Sequence, residues 1–141
     1  MQQSDIFFPC IAMVALTAAV WVRLYVERVG EMRARRIRPE EIATVQQAAT
    51  LLEKQNSANN FRNLFEVPVL FYVLCLALFA SQMATPLLLV GAWLFVAFRA
   101  AHSLIHCSYN HVIHRFIVYS LSTILLFIMW GMFAFNLYGP G

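Results

Sequence analysis

The chain has few charged residues, and three long stretches have none at all. Charged side chains make up 12% of its 141 residues, whereas 61% of the residues are hydrophobic. Residues 6–22, 67–98 and 116–138 contain no Asp, Glu, Lys or Arg. Because about a quarter of the residues in a soluble domain are charged, this composition excludes an ordinary soluble domain. It indicates a chain that lies mainly in lipid.

The uncharged stretches are long enough to cross a bilayer. A helix needs about 20 residues to cross a hydrocarbon core roughly 30 Å thick. The middle stretch is too long for one crossing, and its polar residues 81–86, which end in Pro86, predict a turn between two helices. We therefore predict an all-α fold, an integral membrane four-helix bundle that forms a single domain over residues 1–141. The spans are expected at about residues 6–28, 64–80, 87–109 and 114–137.

The basic residues predict how the bundle is oriented. Eight of the ten Lys and Arg residues lie between Arg23 and Arg62, and the turn after the second span has no charge. The positive-inside rule then places the first and third loops in the cytoplasm and both termini outside. A nucleic-acid partner is not expected, because acidic residues interleave the basic ones beside a membrane span. The first span is expected to be retained, since residues 1–5 contain Asp5 and lack the positive start of a signal peptide.

The first loop is the only substantial segment outside the membrane, from about residue 27 to residue 61. Pro39 followed by Glu40 and Glu41 predicts a helix start, with acids near the positive end of the helix dipole. A short amphipathic helix is expected from about residue 41 to residue 54. Residues 56–60 are expected to form a polar linker into the second span.

Polar and ionisable residues cluster at the cytoplasmic ends of three spans. An ionisable group at the centre of a span costs about 2.5 to 3.5 kcal/mol on insertion scales, so such residues call for an explanation. The set comprises Arg62, Asn63 and Glu66 on the second span, Arg99, His102, Ser103, His106 and Asn110 on the third, and Arg115, Tyr119 and Ser122 on the fourth. Most follow the spacing of one helical face. Together they predict a half-buried binding cavity in the inner leaflet.

The charges of this cavity predict the class of its ligand. Three guanidiniums, those of Arg62, Arg99 and Arg115, face the single carboxylate of Glu66. Arginine forks bind carboxylates in bidentate pairs, so a net anionic ligand is expected. Glu66 either holds an arginine in place or accepts an ammonium, and a zwitterion with an additional carboxylate fits best. Two structural alternatives to ligand binding stay open. Either Arg62 and Arg115 only extend their charged groups to the interface between membrane and water, or Glu66 only forms an interhelical ion pair with Arg99.

The histidines and cysteines do not have the spacing of a metal motif. His102 and His106 are four residues apart, but no carboxylate lies between them as a zincin-type site requires. Hydrogen bonding is their expected role and no metal is expected, with a histidine-based metal or haem protein as the rival reading. The three cysteines fall in predicted spans without paired spacing, so buried free thiols are expected at Cys10, Cys75 and Cys107.

Two blocks of residues match a known pattern. They are Arg62, Asn63, Glu66, Pro68, Phe71 and Tyr72 in the second span and Arg99, His102, Ser103, Arg115 and Tyr119 in the third and fourth. The second block keeps the spacing seen in prostaglandin E synthase-like proteins. The chain resembles the MAPEG family, membrane proteins of eicosanoid and glutathione metabolism, over nearly its whole length. Arg23 is a weaker match to an arginine of the first helix in that family.

The resemblance implies a homotrimer that binds glutathione as co-substrate between neighbouring subunits on the cytoplasmic side. Carried over by position, the glutathione-binding residues would be Arg62, Asn63, Glu66, Arg99, His102, Ser103 and His106. Arg115 would stabilise the thiolate, which is the nucleophile, and Tyr119 would orient it by hydrogen bonding. The activity implied is that of a glutathione-dependent transferase or peroxidase. Its second substrate would be a lipophilic electrophile or hydroperoxide that arrives from the surrounding membrane lipids.

Three residues depart from the pattern of the prostaglandin E synthase-like branch of the family. His106 stands where a tyrosine is common, Phe116 replaces a small polar residue, and Pro68 follows Glu66 at a shorter interval. They suggest a bacterial-type member, which would lie in the cell's inner membrane and for which glutathione dependence is not automatic. The alternative function is that of a non-enzymatic lipid-binding member or an accessory subunit of a larger membrane complex.

Overall fold

The computed structural model describes residues 2–138, and six α-helices make up most of them. They are α1 (Phe7–Arg35), α2 (Val45–Leu51), α3 (Asn56–Asn63), α4 (Val67–Ala80), α5 (Pro86–Cys107) and α6 (Val112–Tyr138). Short 3-10 turns at Gln3–Ile6 and Pro39–Ile42 precede α1 and α2.

Four helical segments of the described chain are long and apolar enough to cross a membrane. They are Gln3–Arg35, Asn56–Ala80, Pro86–Cys107 and Val112–Tyr138. The predicted all-α fold with four candidate spans is therefore confirmed. Large apolar side chains are exposed along the outer faces of these helices, as expected where the solvent is lipid.

The first helix is longer than predicted, because it continues to Arg35 instead of ending near residue 28. Its last turns contain the ion pair between Glu31 and Arg35, four residues apart and 3.1 Å from oxygen to nitrogen. Arginines in the last turn also interact favourably with the negative end of the helix dipole. The helix ends where Arg36 adopts a left-handed conformation with φ of 56°.

The second span is broken in two. The helix α3 ends at Asn63, and α4 begins at Val67 with Pro68 in its first turn. Proline has no backbone N–H to continue a preceding helix and disfavours helical geometry in the residue before it. Glu66, with φ of −97° and ψ of −103°, lies in the break. The side chains of α3 therefore do not keep the helical register of α4.

The prediction of a polar linker over residues 56–60 is wrong, because these residues form the first part of α3. Asparagine and serine favour turns when they face water. Here Ser57 and Asn60 are fully buried, and both hydrogen-bond to side chains of α5. Those tertiary contacts outweigh the local preference and hold the segment as a helix.

The first loop folds back onto α1. The expected helix is shorter than predicted: α2 begins after Thr44, whose hydroxyl accepts a 3.2 Å hydrogen bond from the Gln47 N–H. The buried carboxylate of Glu31 accepts hydrogen bonds from the backbone N–H groups of Glu53, at 2.6 Å, and Lys54, at 3.1 Å. This carboxylate anchors the end of the loop immediately before α3.

The helices α5 and α6 approach each other closely at Gly91. A Cβ atom built on Gly91 would stand 3.1 Å from the sulfur of Met129. Small residues allow membrane helices to approach closely, which gains packing energy that lipid tails cannot replace. Gly91 therefore sets the distance between the two helices that frame the polar residues described below.

Replacing Gly91 by valine should destabilise the bundle by about 1 to 3 kcal/mol, the usual cost of inserting methyl groups into a packed contact. Gly131 on α6 provides a matched control, because nothing lies within 4 Å of a Cβ built there. Thermal unfolding in detergent should show a clearly lower midpoint for Gly91→Val than for Gly131→Val. Equal midpoints would show that α5 and α6 are not held at this distance.

Candidate functional site

Polar side chains from three elements surround a small cleft where α3 ends, α5 nears its end and α6 begins. The cleft has a volume of about 210 Å³. Its lining residues are Asn63, His102, Val112, Arg115, Phe116 and Tyr119. Four of these six residues were predicted site residues, so the fold brings together groups from the second, third and fourth spans.

His102 connects the three elements that form the cleft. Its Nδ1 lies 3.1 Å from the backbone oxygen of Arg115, and its Nε2 lies 3.5 Å from the side-chain nitrogen of Asn63. A carbonyl can only accept, so Nδ1 carries the proton and Nε2 is the acceptor for the Asn63 amide. His102 is itself buried. The ring thus fixes both the start of α6 and the end of α3 against α5.

Arg115 is oriented by two acceptors on one of its nitrogens. Its Nη1 donates to the Asn110 side-chain oxygen at 2.8 Å and to His106 Nε2 at 3.1 Å. Asn110 is held in turn, since its amide donates to the side-chain oxygen of Asn56 at 2.9 Å. Among the described residues only Nη1 of this guanidinium makes a side-chain hydrogen bond, and Arg115 is half-exposed. The rest of its fork is available to a ligand.

Arg99 lies beneath the cleft, fully buried beside Tyr119. Its Nη2 donates to the backbone oxygen of Asn63 at 2.7 Å, and its guanidinium carbon lies 5.1 Å from the centre of the Tyr119 ring. A cation over an aromatic face gains electrostatic stabilisation. Within residues 2–138, the Nε and Nη1 atoms of Arg99 have no hydrogen-bond partner. A largely uncompensated positive charge is therefore buried next to the cleft.

Three predicted site residues lie elsewhere in the chain. Arg62 is exposed and lines a separate cavity against α1. Glu66 is exposed in the break between α3 and α4, and it forms no ion pair with Arg99 among the residues described. Ser103 donates to the side-chain oxygen of Asn60 at 3.3 Å, away from the cleft. Their roles in glutathione binding stay predictions.

A buried polar network behind the cleft was missed by the sequence reading. The Asn60 amide lies 3.4 Å from the sulfur of Cys107, and the Ser57 hydroxyl lies 3.8 Å from the same sulfur. Asn56, Asn60 and Asn63 follow helical spacing, a signal that could have identified this face. Asn110 was assigned to the polar face of the third span, but α5 ends at Cys107 and Asn110 lies in the following turn with φ of 47°.

The described residues include no group of three or more His, Cys, Asp or Glu side chains placed to hold a metal ion. The centroids of the His102 and His106 rings lie 5.6 Å apart. His102 is hydrogen-bonded to the side chain of Asn63, and His106 to the guanidinium of Arg115. His102 also contacts the Tyr119 ring, and the Nδ1 of His106 is buried without a hydrogen-bond partner among the described residues.

The sequence model of the MAPEG family matches residues 6–135, nearly the whole chain. The chain belongs to the MAPEG family. No curated protein and no solved structure gave a match. Membership confirms the resemblance of the two residue blocks and, with the four apolar helices, identifies an integral membrane protein. The family includes glutathione-dependent transferases and peroxidases, so the cleft of this MAPEG protein is the place to seek such an activity.

Proposed function

We propose that this MAPEG protein is a glutathione-dependent transferase or peroxidase that acts on lipophilic electrophiles or hydroperoxides. The observation that carries the proposal is the half-exposed guanidinium of Arg115, oriented by Asn110 and His106 with most of its fork free. Such a fork binds a carboxylate or stabilises a thiolate. The buried charge of Arg99 nearby adds to the positive potential that favours an anion.

The chemistry follows from a stabilised thiolate. In the transferase reaction, the glutathione sulfur attacks an electrophilic carbon, a C–S bond forms and the leaving group departs with its electron pair. In the peroxidase reaction, the sulfur attacks the terminal peroxide oxygen, the O–O bond breaks and the alkoxide takes up a proton. A second glutathione then forms the disulfide and releases water. Arg115 would hold the thiolate and the Tyr119 hydroxyl would orient it, because both side chains line the cleft.

The second substrate would enter from the bilayer. Val112 and Phe116 form the apolar part of the cleft lining, and both are exposed near the start of α6. A hydrophobic molecule dissolved in lipid can therefore approach the cleft without crossing water. The polar end of the cleft lies on the side of the first loop, which we assign to the cytoplasm where glutathione would be supplied.

A neighbouring subunit is needed to complete the site. The cleft volume of about 210 Å³ is below the roughly 300 to 1,000 Å³ of typical ligand pockets, and a tripeptide would protrude from it. We propose that the homotrimer encloses glutathione between subunits. In that arrangement the exposed carboxylate of Glu66 would accept a hydrogen bond from the ammonium of the ligand, since Glu66 lies between α3 and α4, close to Asn63 along the chain.

Calorimetry with the purified oligomer in detergent tests this function. Glutathione should bind saturably, and the tripeptide in which alanine replaces its cysteine should bind more weakly because it offers no thiolate to Arg115. Turnover should then be seen with a lipophilic aryl halide or an organic hydroperoxide. A folded oligomer that does not bind glutathione would contradict the proposal. Binding without turnover would favour the non-enzymatic alternative, a lipid-binding member or accessory subunit.

A further inference from the structure

A second cavity lies between α1, α2 and α3, at the same end of the bundle as the cleft. Its volume is about 800 Å³, and it shares no lining residue with the cleft. Four aromatic residues line it, namely Trp21, Tyr25, Phe61 and Phe65. Two arginines also line it, Arg28 on α1 and Arg62 on α3. The cavity therefore combines apolar walls with two positive charges.

The two arginines have no counter-ion in the described structure. Arg28 and Arg62 form no ion pair and no side-chain hydrogen bond with any described residue, and the Nε of Arg28 is buried without a partner. No acidic residue is among those lining the cavity. Arg23, Arg35 and Arg38 each pair with a glutamate, whereas Arg33 and Arg36 are in no ion pair with a described residue. Of the unpaired arginines in this region, only Arg28 and Arg62 line the cavity. Arg28 is partly buried and Arg62 is exposed, and two guanidiniums without a counter-ion favour an anion from outside the chain.

An apolar groove continues from this cavity along α1 and α4. The groove has a volume of about 620 Å³ and shares Trp21, Phe61 and Phe65 with the cavity. The rest of its lining is almost wholly apolar, namely Val14, Thr17, Ala18, Leu64, Val69 and Tyr72. Tryptophan and tyrosine concentrate at the level of lipid headgroups. Trp21 and Tyr25 thus place the cavity at headgroup level and the groove at acyl-chain level.

We propose that the cavity and the groove together bind one anionic phospholipid. Its phosphate would lie between Arg28 and Arg62, and an acyl chain would follow the groove past Trp21. A water-soluble anion would leave the apolar groove empty, and a neutral lipid would leave the arginines uncompensated. The site gives Arg62 a role other than the predicted contact with glutathione. Arg28 separates this site from the proposed enzyme activity, because it does not line the cleft and is not a predicted glutathione-binding residue.

Trp21 makes the proposal measurable, because it lines both parts of the site. The full chain carrying Trp93→Phe and Trp130→Phe keeps Trp21 as its one tryptophan. This protein would be reconstituted into phosphatidylcholine vesicles that contain increasing fractions of brominated phosphatidylglycerol, or brominated phosphatidylcholine for comparison. Bromine quenches tryptophan fluorescence at contact, so the ratio of the two quenching curves gives the selectivity for the anionic lipid.

In the protein that keeps only Trp21, brominated phosphatidylglycerol should quench the fluorescence at a lower mole fraction than brominated phosphatidylcholine. Arg28→Gln should lower that selectivity about fivefold, the effect expected of one cationic side chain near an anionic membrane surface. Arg28→Lys should retain most of it. Arg33→Gln is the matched control, because this exposed arginine of α1 lies outside the cavity lining. Its selectivity should be unchanged.

Three results would overturn the proposal. Equal quenching by both lipids would mean that the groove takes acyl chains without recognising a headgroup. Absence of quenching by either lipid would mean that another copy of the chain covers Trp21. An equal loss of selectivity in Arg33→Gln and Arg28→Gln would mean that the preference for the anionic lipid comes from general surface charge. Circular dichroism and elution volume of each variant show whether it has folded as the parent does.

Discussion

Replacing Arg115 by alanine should lower the affinity for glutathione by about 10- to 100-fold, the cost of losing one or two hydrogen bonds to a charged group. Arg115 is the cleft residue whose guanidinium is both oriented and accessible, since Nη1 is held by Asn110 and His106. Its loss removes the cation and leaves the thiolate without its proposed partner. Calorimetric titration of wild type and variant in the same detergent measures the change.

Two further variants separate the causes of that loss. Arg115→Lys keeps the charge but not the fork, so intermediate affinity is expected if bidentate contact matters. His114→Ala changes the preceding residue, which is exposed and does not line the cleft, and should bind as wild type does. If Arg115→Ala keeps both the glutathione affinity and the unfolding midpoint of wild type, glutathione does not bind in this cleft.

Replacing Arg99 by methionine should raise the unfolding free energy, by an amount within the range of about 1 to 4 kcal/mol seen when a buried ion pair is replaced by apolar residues of similar volume. Arg99 is fully buried, and in the described chain two of its three guanidinium-group nitrogens have no partner. Methionine is flexible and fills the space without a charge. Thermal unfolding in detergent should therefore show a higher midpoint.

The same variant should bind glutathione more weakly. Arg99 holds the backbone oxygen of Asn63 at 2.7 Å, and the Asn63 side chain is a partner of His102 in the cleft. Without this bond the end of α3 is no longer fixed against α5. A variant that is more stable and binds less would show that the buried charge is retained for function. A variant less stable than wild type would instead make Arg99 a structural residue.

The number and type of spans could be read from the sequence because each depends on local composition. Uncharged stretches of sufficient length are stable in lipid only as helices or closed barrels, so their number predicts the helices. The break before Pro68 was not predicted, although it has a local cause, since proline lacks the backbone N–H that would continue a preceding helix. The family pattern likewise belongs to the sequence, and the MAPEG match over residues 6–135 confirms it.

The candidate site was predicted only in part, because the residues of one face share a site only while the helix is continuous. On α5 the spacing held for Arg99, His102 and His106, which lie at or behind the cleft. Ser103 instead contacts Asn60, and Asn110 lies beyond the end of the helix. On the second span the register changes between Asn63 and Val67. Glu66 lies in this break and does not line the cleft. Arg62 and Asn63 are neighbours on α3, where successive side chains point about 100° apart, and Arg62 lines the α1 cavity while Asn63 lines the cleft.

By itself, the sequence determined that this protein is a four-span helical membrane protein of the MAPEG family with polar residues on three helices. Those properties depend on which residues are adjacent along the chain. Only the tertiary structure decided that residues 56–60 are helical, with Ser57 and Asn60 buried, and that Asn110 orients Arg115. It also decided which arginines remain without a partner. The burial of Asn60 against Ser103 and the bond that holds Asn110 to Asn56 join residues far apart in sequence, and local preference does not contain such contacts.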